Sequence, residues 1–165
     1  MNRKIRGNVF ETNSSSMHSF TINSGTKTIN NLEIDEFDGY IHTELDEFGW
    51  EICNYYDAAA KLAYILLIAA STTAYCISFW MDRSEARENI ANFMETDEFK
   101  KIEDAVKEEF PECNGIMIEE HSYGYIDHQS LGFRSLDDFL KYVGVDTVHE
   151  FIFGDVILRT DNDNH

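Results

Sequence analysis

Residues 62–81 read LAYILLIAASTTAYCISFWM, twenty consecutive residues without a charge. About 20 apolar residues in a helix cross a bilayer core, so this stretch is either a membrane span or the centre of a globular core. Ser71, Thr72, Thr73 and Ser78 interrupt the run, and acidic residues flank it on both sides. Lys61 alone is a weak positive-inside signal. A helix apolar on every face also suits the interior of a globular domain. The expectation is a central buried helix, broken near Ser71–Thr73, and no membrane span.

Working outward, Asp57 is placed to cap a helix starting at Ala58. Asp82 followed by Glu85 forms a capping-box pattern. It opens a helix whose apolar residues Ala86, Ile90, Phe93 and Met94 share one face. Thr96 caps a third helix with Phe99, Ile102, Val106 and Phe110 on one side, and Pro111 ends it. Ser135 with Asp138 opens a further helix lined by Leu136, Phe139, Leu140 and Val143, with Gly144 as its stop.

Both ends of the chain read as short strands. Residues 4–10, KIRGNVF, alternate weakly. Residues 17–22, MHSFTI, alternate with His18, Phe20 and Ile22 on one face, so the two segments suit a hairpin or a strand–loop–strand. Another strand is expected in FDGYIHTEL (37–45), with Gly49 marking a bend after it. GIMIEEHSY (115–123) and GYIDHQS (124–130) read as a hairpin about Tyr123–Gly124. VHEFIFGDVILRT (148–160) supplies two short strands, or a helical turn and then a strand. The fold class expected is α+β: one domain over 1–165, short antiparallel strands at both ends packed on a central helical segment.

An apolar content of 43% with 13% aromatics fits a globular domain and not a disordered chain. Thirteen basic residues against 31 acidic ones give a net charge of −18. Contact with a nucleic-acid backbone needs clustered Lys and Arg, so direct nucleic-acid binding is not expected. Between Lys27 and Lys61 there is no lysine or arginine, and the gap holds Glu33, Asp35, Glu36, Asp38, Glu44, Asp46, Glu47, Glu51 and Asp57. These acids are either a solvated face or a phosphate-mimicking surface that occupies a basic groove on a partner. Trp50, in DEFGWE (46–51), is the aromatic such an interface would use as an anchor. Cys53, Cys76 and Cys113 form no CxxC pair, which argues against structural zinc or a disulfide framework. MNRKIRGNVFETN lacks the apolar core of a signal peptide, and a cytoplasmic location is expected.

Three polar constellations are candidates for chemistry. ETNSSSMHS (11–19) holds Asn13, Ser14, Ser15, Ser16 and His18. A serine becomes a nucleophile when a base lies within hydrogen-bond reach, and Ser16 and His18 share a face on a strand. HSYGYIDHQS (121–130) carries Asp127 and His128, residue types used as an acid–base pair or as metal ligands. On a strand the two point to opposite faces, so no metal site is assigned and any cofactor is unknown. TDNDN (160–164), with Asp161 and Asn162, resembles the start of a calcium loop but lacks its glycine and closing glutamate. Each also reads as an ordinary turn, hairpin or tail, since Asn and Ser favour turns for local hydrogen-bonding reasons.

VFETNSSSMHSF resembles the opening of a group of small uncharacterised proteins of bacteriophages and related mobile elements, which begin Phe-Glu-Thr-Asn-Ser-Ser-Ser-x-His-Ser. The pieces EFGWE, KLAY, YIDHQS and TDNDN look like later elements of the same group. The resemblance brings no activity with it. It implies a phage-type origin, action inside a bacterial host, and one composite pocket drawing on Asn13, the serines, His18, Asp127, His128, Asp161 and Asn162.

Two functions follow as expectations. The first is an interaction protein that binds and modulates a host or defence factor with a basic surface by nucleic-acid-like charge mimicry, through Asp35, Glu36, Asp38, Glu44, Asp46, Glu47 and Trp50. The second is a small hydrolase or transferase acting on a phosphate- or nucleotide-containing substrate. There His18 or His128 is the base, one of Ser14, Ser15 and Ser16 the nucleophile or substrate ligand, and Asp127 the orienting group. Convergence of the two polar ends favours the enzyme; a contiguous acidic face favours the binder.

Overall fold

The computed structural model describes residues 4–7, 17–49, 51–77, 81–126 and 133–161. The uncharged stretch is divided where its hydroxyls begin. Its first half belongs to helix α1, Ala58–Ser71. At 1.5 Å per residue α1 is about 21 Å long, short of the ~30 Å bilayer core. Among the described residues no helix is long and apolar enough to cross a membrane. The Asp57 side chain accepts from the Ala60 N–H and sets the start of α1. Three successive hydroxyls end it: Ser71, Thr72 and Thr73 donate to the carbonyls of Ile68, Ala69 and Ala70 at 2.6, 2.8 and 2.8 Å. They satisfy carbonyls that a helix terminus leaves without partners.

Every residue from Lys61 to Ala70 is buried, so α1 is enclosed on all sides. Its alanines let neighbours approach closely, and the large side chains Leu62, Tyr64, Ile65, Leu66 and Ile68 fill the core. Helices α2 (Arg83–Met94) and α3 (Asp97–Glu109) follow, capped by Asp82 and Thr96. Phe99, Ile102 and Val106 turn the apolar face of α3 inward. Helix α4, Leu136–Val143, starts at the Ser135 cap and ends on Gly144, whose φ of 94° is left-handed. Helix α5, Val148–Phe153, is a short turn capped by Thr147.

Strands β1 (Lys4–Gly7), β2 (Met17–Ile22), β5 (Cys53–Tyr55) and β8 (Val156–Asp161) form one sheet in the order β1-β2-β8-β5, antiparallel at every pairing. The two ends of the chain thus share a sheet. Phe20 and Leu158 pair across β2 and β8 and are both buried. The 148–160 segment takes the second of its two expected forms, a helical turn and then a strand.

Among the described residues, the expected hairpin about Tyr123–Gly124 does not form. β6 (Gly115–Ile118) lies parallel to β3 (Tyr40–Thr43), and β7 (Tyr125–Ile126) lies parallel to β4 (Glu47–Phe48). The 40–48 and 115–126 segments therefore run side by side in one direction. The helices between them give the length a parallel crossover needs. Gly124 is a point of close approach: a Cβ there would lie 2.8 Å from Leu45 Cβ and 2.9 Å from both Asp46 O and Leu67 Cδ1. In sequence Gly124 looks like a turn residue; in the fold it lets this segment press against the chain beside β4.

Candidate functional site

The parallel pairing leaves the segments on either side of β3 facing the start of α1. Between them lies an open groove of about 890 Å³. Its carboxylates come from Glu33, Asp35, Glu36, Glu44, Asp46 and Asp57, with Tyr55, Ala59, Ala60 and Ala63 beneath them. Six of the nine acids in the stretch without lysine or arginine line this one concavity. Their gathering follows from β3: residues 31–37 enter it, residues 44–46 leave it, and α1 closes the third side.

One wall is a rigid turn. Asp35 Oδ1 accepts from the N–H groups of Phe37 (2.8 Å) and Asp38 (3.3 Å), while the Gly39 N–H donates to Asp35 O (2.9 Å). Asn114 ties the turn to β6, its side chain donating to Asp38 O and its N–H to Gly39 O. Gly39 has φ 76°, and a Cβ there would lie 2.6 Å from Asn114 Nδ2. At the tip Phe37 is 99% exposed. A large apolar ring held outward by a fixed turn beside carboxylates offers a cation both charge and a π face.

The His42 ring stands on the same wall with a carboxylate on each nitrogen. Nδ1 lies 2.6 Å from Glu119 Oε1 and Nε2 lies 2.8 Å from Asp38 Oδ2. These two hydrogen bonds, Glu119 first and then Asp38, raise the His42 pKa above its ordinary value. The Asp38 carboxyl is held low, chiefly by the Tyr40 N–H and then by His42. Neither His42 nor Phe37 was singled out from sequence. The readable signal was DEFDGYIH (35–42), an aromatic between acids at a glycine turn with a histidine four residues after an aspartate.

Asp38, Glu44 and Asp46 thus stand at or beside the groove with Asp35 and Glu36, while Glu47 lies on β4. Trp50, Asn13, Ser14, Ser15, Ser16, Asp127, His128 and Asn162 lie outside the described residues. The β2–β8 register sets Met17 opposite Asp161 and His18 opposite Thr160. The backbones leading to the serine run and to the polar tail are therefore neighbours.

His18 itself faces the core. It is 6% exposed, and its Nδ1 shares a 2.9 Å hydrogen bond with the hydroxyl of the buried Tyr64. Burial lowers its pKa to about 4, and burial pushes the Tyr64 hydroxyl up. Both groups are uncharged near neutrality. His121, close to Asp127 in sequence, is exposed and lies 3.5 Å from Glu44.

Lys61, read from sequence as a flank of the apolar run, is fully buried. Its Nζ donates to Thr28 Oγ1 (2.7 Å), Val156 O (3.1 Å) and Gly154 O (3.4 Å). Burial lowers its pKa to about 8 against the opposing fields of Asp57 and Asp155. Its charge is held inside the fold by those three oxygens, and of the groove carboxylates it is Asp57 whose field reaches it. Among the described residues no group of three or more His, Cys, Asp or Glu is placed to hold a metal ion. The groove gathers carboxylates beside one exposed aromatic ring, groups that attract cations. No family model, curated protein or solved structure matches this chain.

Proposed function

We propose that this protein is a small acidic interaction protein that binds and modulates a host or defence factor through a basic surface on that partner. Its carboxylates occupy that surface as nucleic-acid phosphates would. The observation that carries the reading is the groove: six carboxylates from three segments converge in one concavity, with Phe37 presented at its rim. Complementary fields of this kind steer association and set register. The phage setting comes from the resemblance of the opening motif and is part of the proposal.

The test uses a fluorescent nona-arginine peptide as the basic probe. The variant Glu33→Lys/Glu36→Lys/Glu44→Lys reverses three groove charges. The control Asp97→Lys/Glu108→Lys/Glu112→Lys makes the same change in net charge at exposed positions elsewhere. At about 7 Å in water a unit pair is worth about 0.6 kcal/mol, and a reversal turns that attraction into equal repulsion, so three reversals cost about 3.6 kcal/mol, roughly 400-fold in Kd at low salt. The groove variant loses that affinity and the control keeps most of it. Equal loss in both refutes a localised site.

A second reading is kept for one observation, the register that sets Met17 opposite Asp161. In it the chain is a small hydrolase or transferase acting on a phosphate- or nucleotide-containing substrate. Asp127 and His128 join the serine run and the tail in its pocket. Full biological effect from well-folded Asp127→Ala and His128→Ala proteins disposes of it.

A further inference from the structure

A neutral imidazole has one N–H and one lone pair, whereas an imidazolium has two N–H groups. His42 meets a carboxylate oxygen at hydrogen-bond distance on both nitrogens. Only the protonated ring satisfies both contacts, since the neutral ring turns a lone pair toward one carboxylate. The two carboxylates sit on different parts of the fold. Asp38 belongs to the turn that carries Phe37, and Glu119 follows directly on β6. We propose that Asp38, His42 and Glu119 form a proton-operated latch on the groove wall. The protonated ring ties the Phe37 turn to the end of β6, and loss of the proton releases the Asp38 side chain.

Geometry selects the carboxylate that is released. The Glu119 contact is the shorter, at 2.6 Å, so the remaining proton stays on Nδ1. Asp38 keeps a second donor in the Tyr40 N–H at 2.9 Å. The turn backbone stays pinned by Asn114, so the movement is confined to the Asp38 side chain and the tip beside it.

The carboxylates that line the groove together with the ring come from three segments. Glu33, Asp35 and Glu36 lie on the segment before β3, Glu44 and Asp46 after it, and Asp57 at the head of α1. His121 lies against Glu44, and Arg87 pairs with Glu120 next to Glu119. Deprotonation therefore removes a positive charge from the wall and frees a carboxylate. A cationic ligand binds more tightly above the His42 midpoint, and by linkage it lowers that midpoint. The latch stands on the cluster alone; its effect on binding rests on the groove reading above.

The test is an NMR pH titration of the full chain without ligand, following the His42 ring and the backbone amides of residues 37–40. The expected ring midpoint lies above the ordinary 6.5, the amides follow it, and both Asp38→Asn and Glu119→Gln lower it. In His42→Gln, checked for folding by circular dichroism, the amide transition is gone. A ring midpoint at or below 6.5, or amides that do not follow the ring, overturns the latch. The titration is then repeated with nona-arginine, whose Kd is expected to tighten severalfold through the midpoint in the wild type only. Correct ring and amide behaviour with no peptide binding leaves the latch standing and removes the groove reading.

Discussion

Replacing Lys61 by methionine removes a charge from the centre of the fold while keeping an unbranched side chain of similar length. The ammonium is fully buried, and its three N–H groups point to three oxygens, none of them a carboxylate. Burial holds its pKa at about 8 against an ordinary 10.5. The unfolded chain therefore binds more protons than the folded one between those values, and stability rises with pH through that window. The Lys61 contribution amounts to about 2.5 kcal/mol gained between pH 7 and pH 10. Other groups titrate there too, among them Tyr55, whose hydroxyl burial pushes up to about 12 with further help from Cys53. Those terms are common to wild type and Lys61→Met and cancel in the difference. Urea unfolding at pH 7, 8, 9 and 10 measures it. The wild type is expected to gain about 2–3 kcal/mol on the variant across the series, with the two closest at pH 7 because relief of desolvation offsets the lost hydrogen bonds there. Parallel pH profiles would refute the reasoning, since they mean that the three oxygens hold the ammonium as well as water does.

His18 has a folded pKa near 4 against an ordinary 6.5. Its contribution to stability is therefore complete above pH 6.5 and is lost by about 3 kcal/mol as pH falls toward 4. Its ring resonance should stay in the neutral form at pH 5.5, and a protonated ring there contradicts the buried placement. Gly124→Ala puts a methyl within 3 Å of Leu45 and the Asp46 carbonyl. It should destabilise the fold by about 1–3 kcal/mol in urea unfolding, and a neutral result would mean the parallel β4–β7 track has room to move. Because four of the six groove carboxylates are exposed and Asp35 and Asp57 half-buried, nona-arginine binding should weaken steeply as salt rises toward about 1 M, where the screening length is about 3 Å. Salt-independent binding would point to Phe37 and its apolar neighbours as the dominant contact.

Helix limits were legible because their causes are local. Asp57, Asp82, Thr96, Ser135 and Gly144 act through hydrogen bonds or dihedral angles within a few residues. The alternation of 17–22 was legible too, with His18 and Phe20 buried as their shared face requires. Partners across the chain were not. Tyr123–Gly124 reads as a hairpin turn from either side, and only the position of residues 40–48 shows that both strands pair elsewhere. The hydrogen bond between His18 and Tyr64, 46 residues apart in the chain, was not legible either.

The sequence alone carried an acidic α+β chain built round an apolar helix, with no lysine or arginine from Glu33 to Asp57. Charge and hydrophobic period are properties of the chain and survive any arrangement of it. Only the tertiary structure set six of those acids round one groove, buried Lys61 in the core, and placed His42 between two carboxylates. Each of these depends on distances between segments that are far apart in sequence. Such distances follow from which strands pair and how closely glycines let them pack, and no local pattern encodes them.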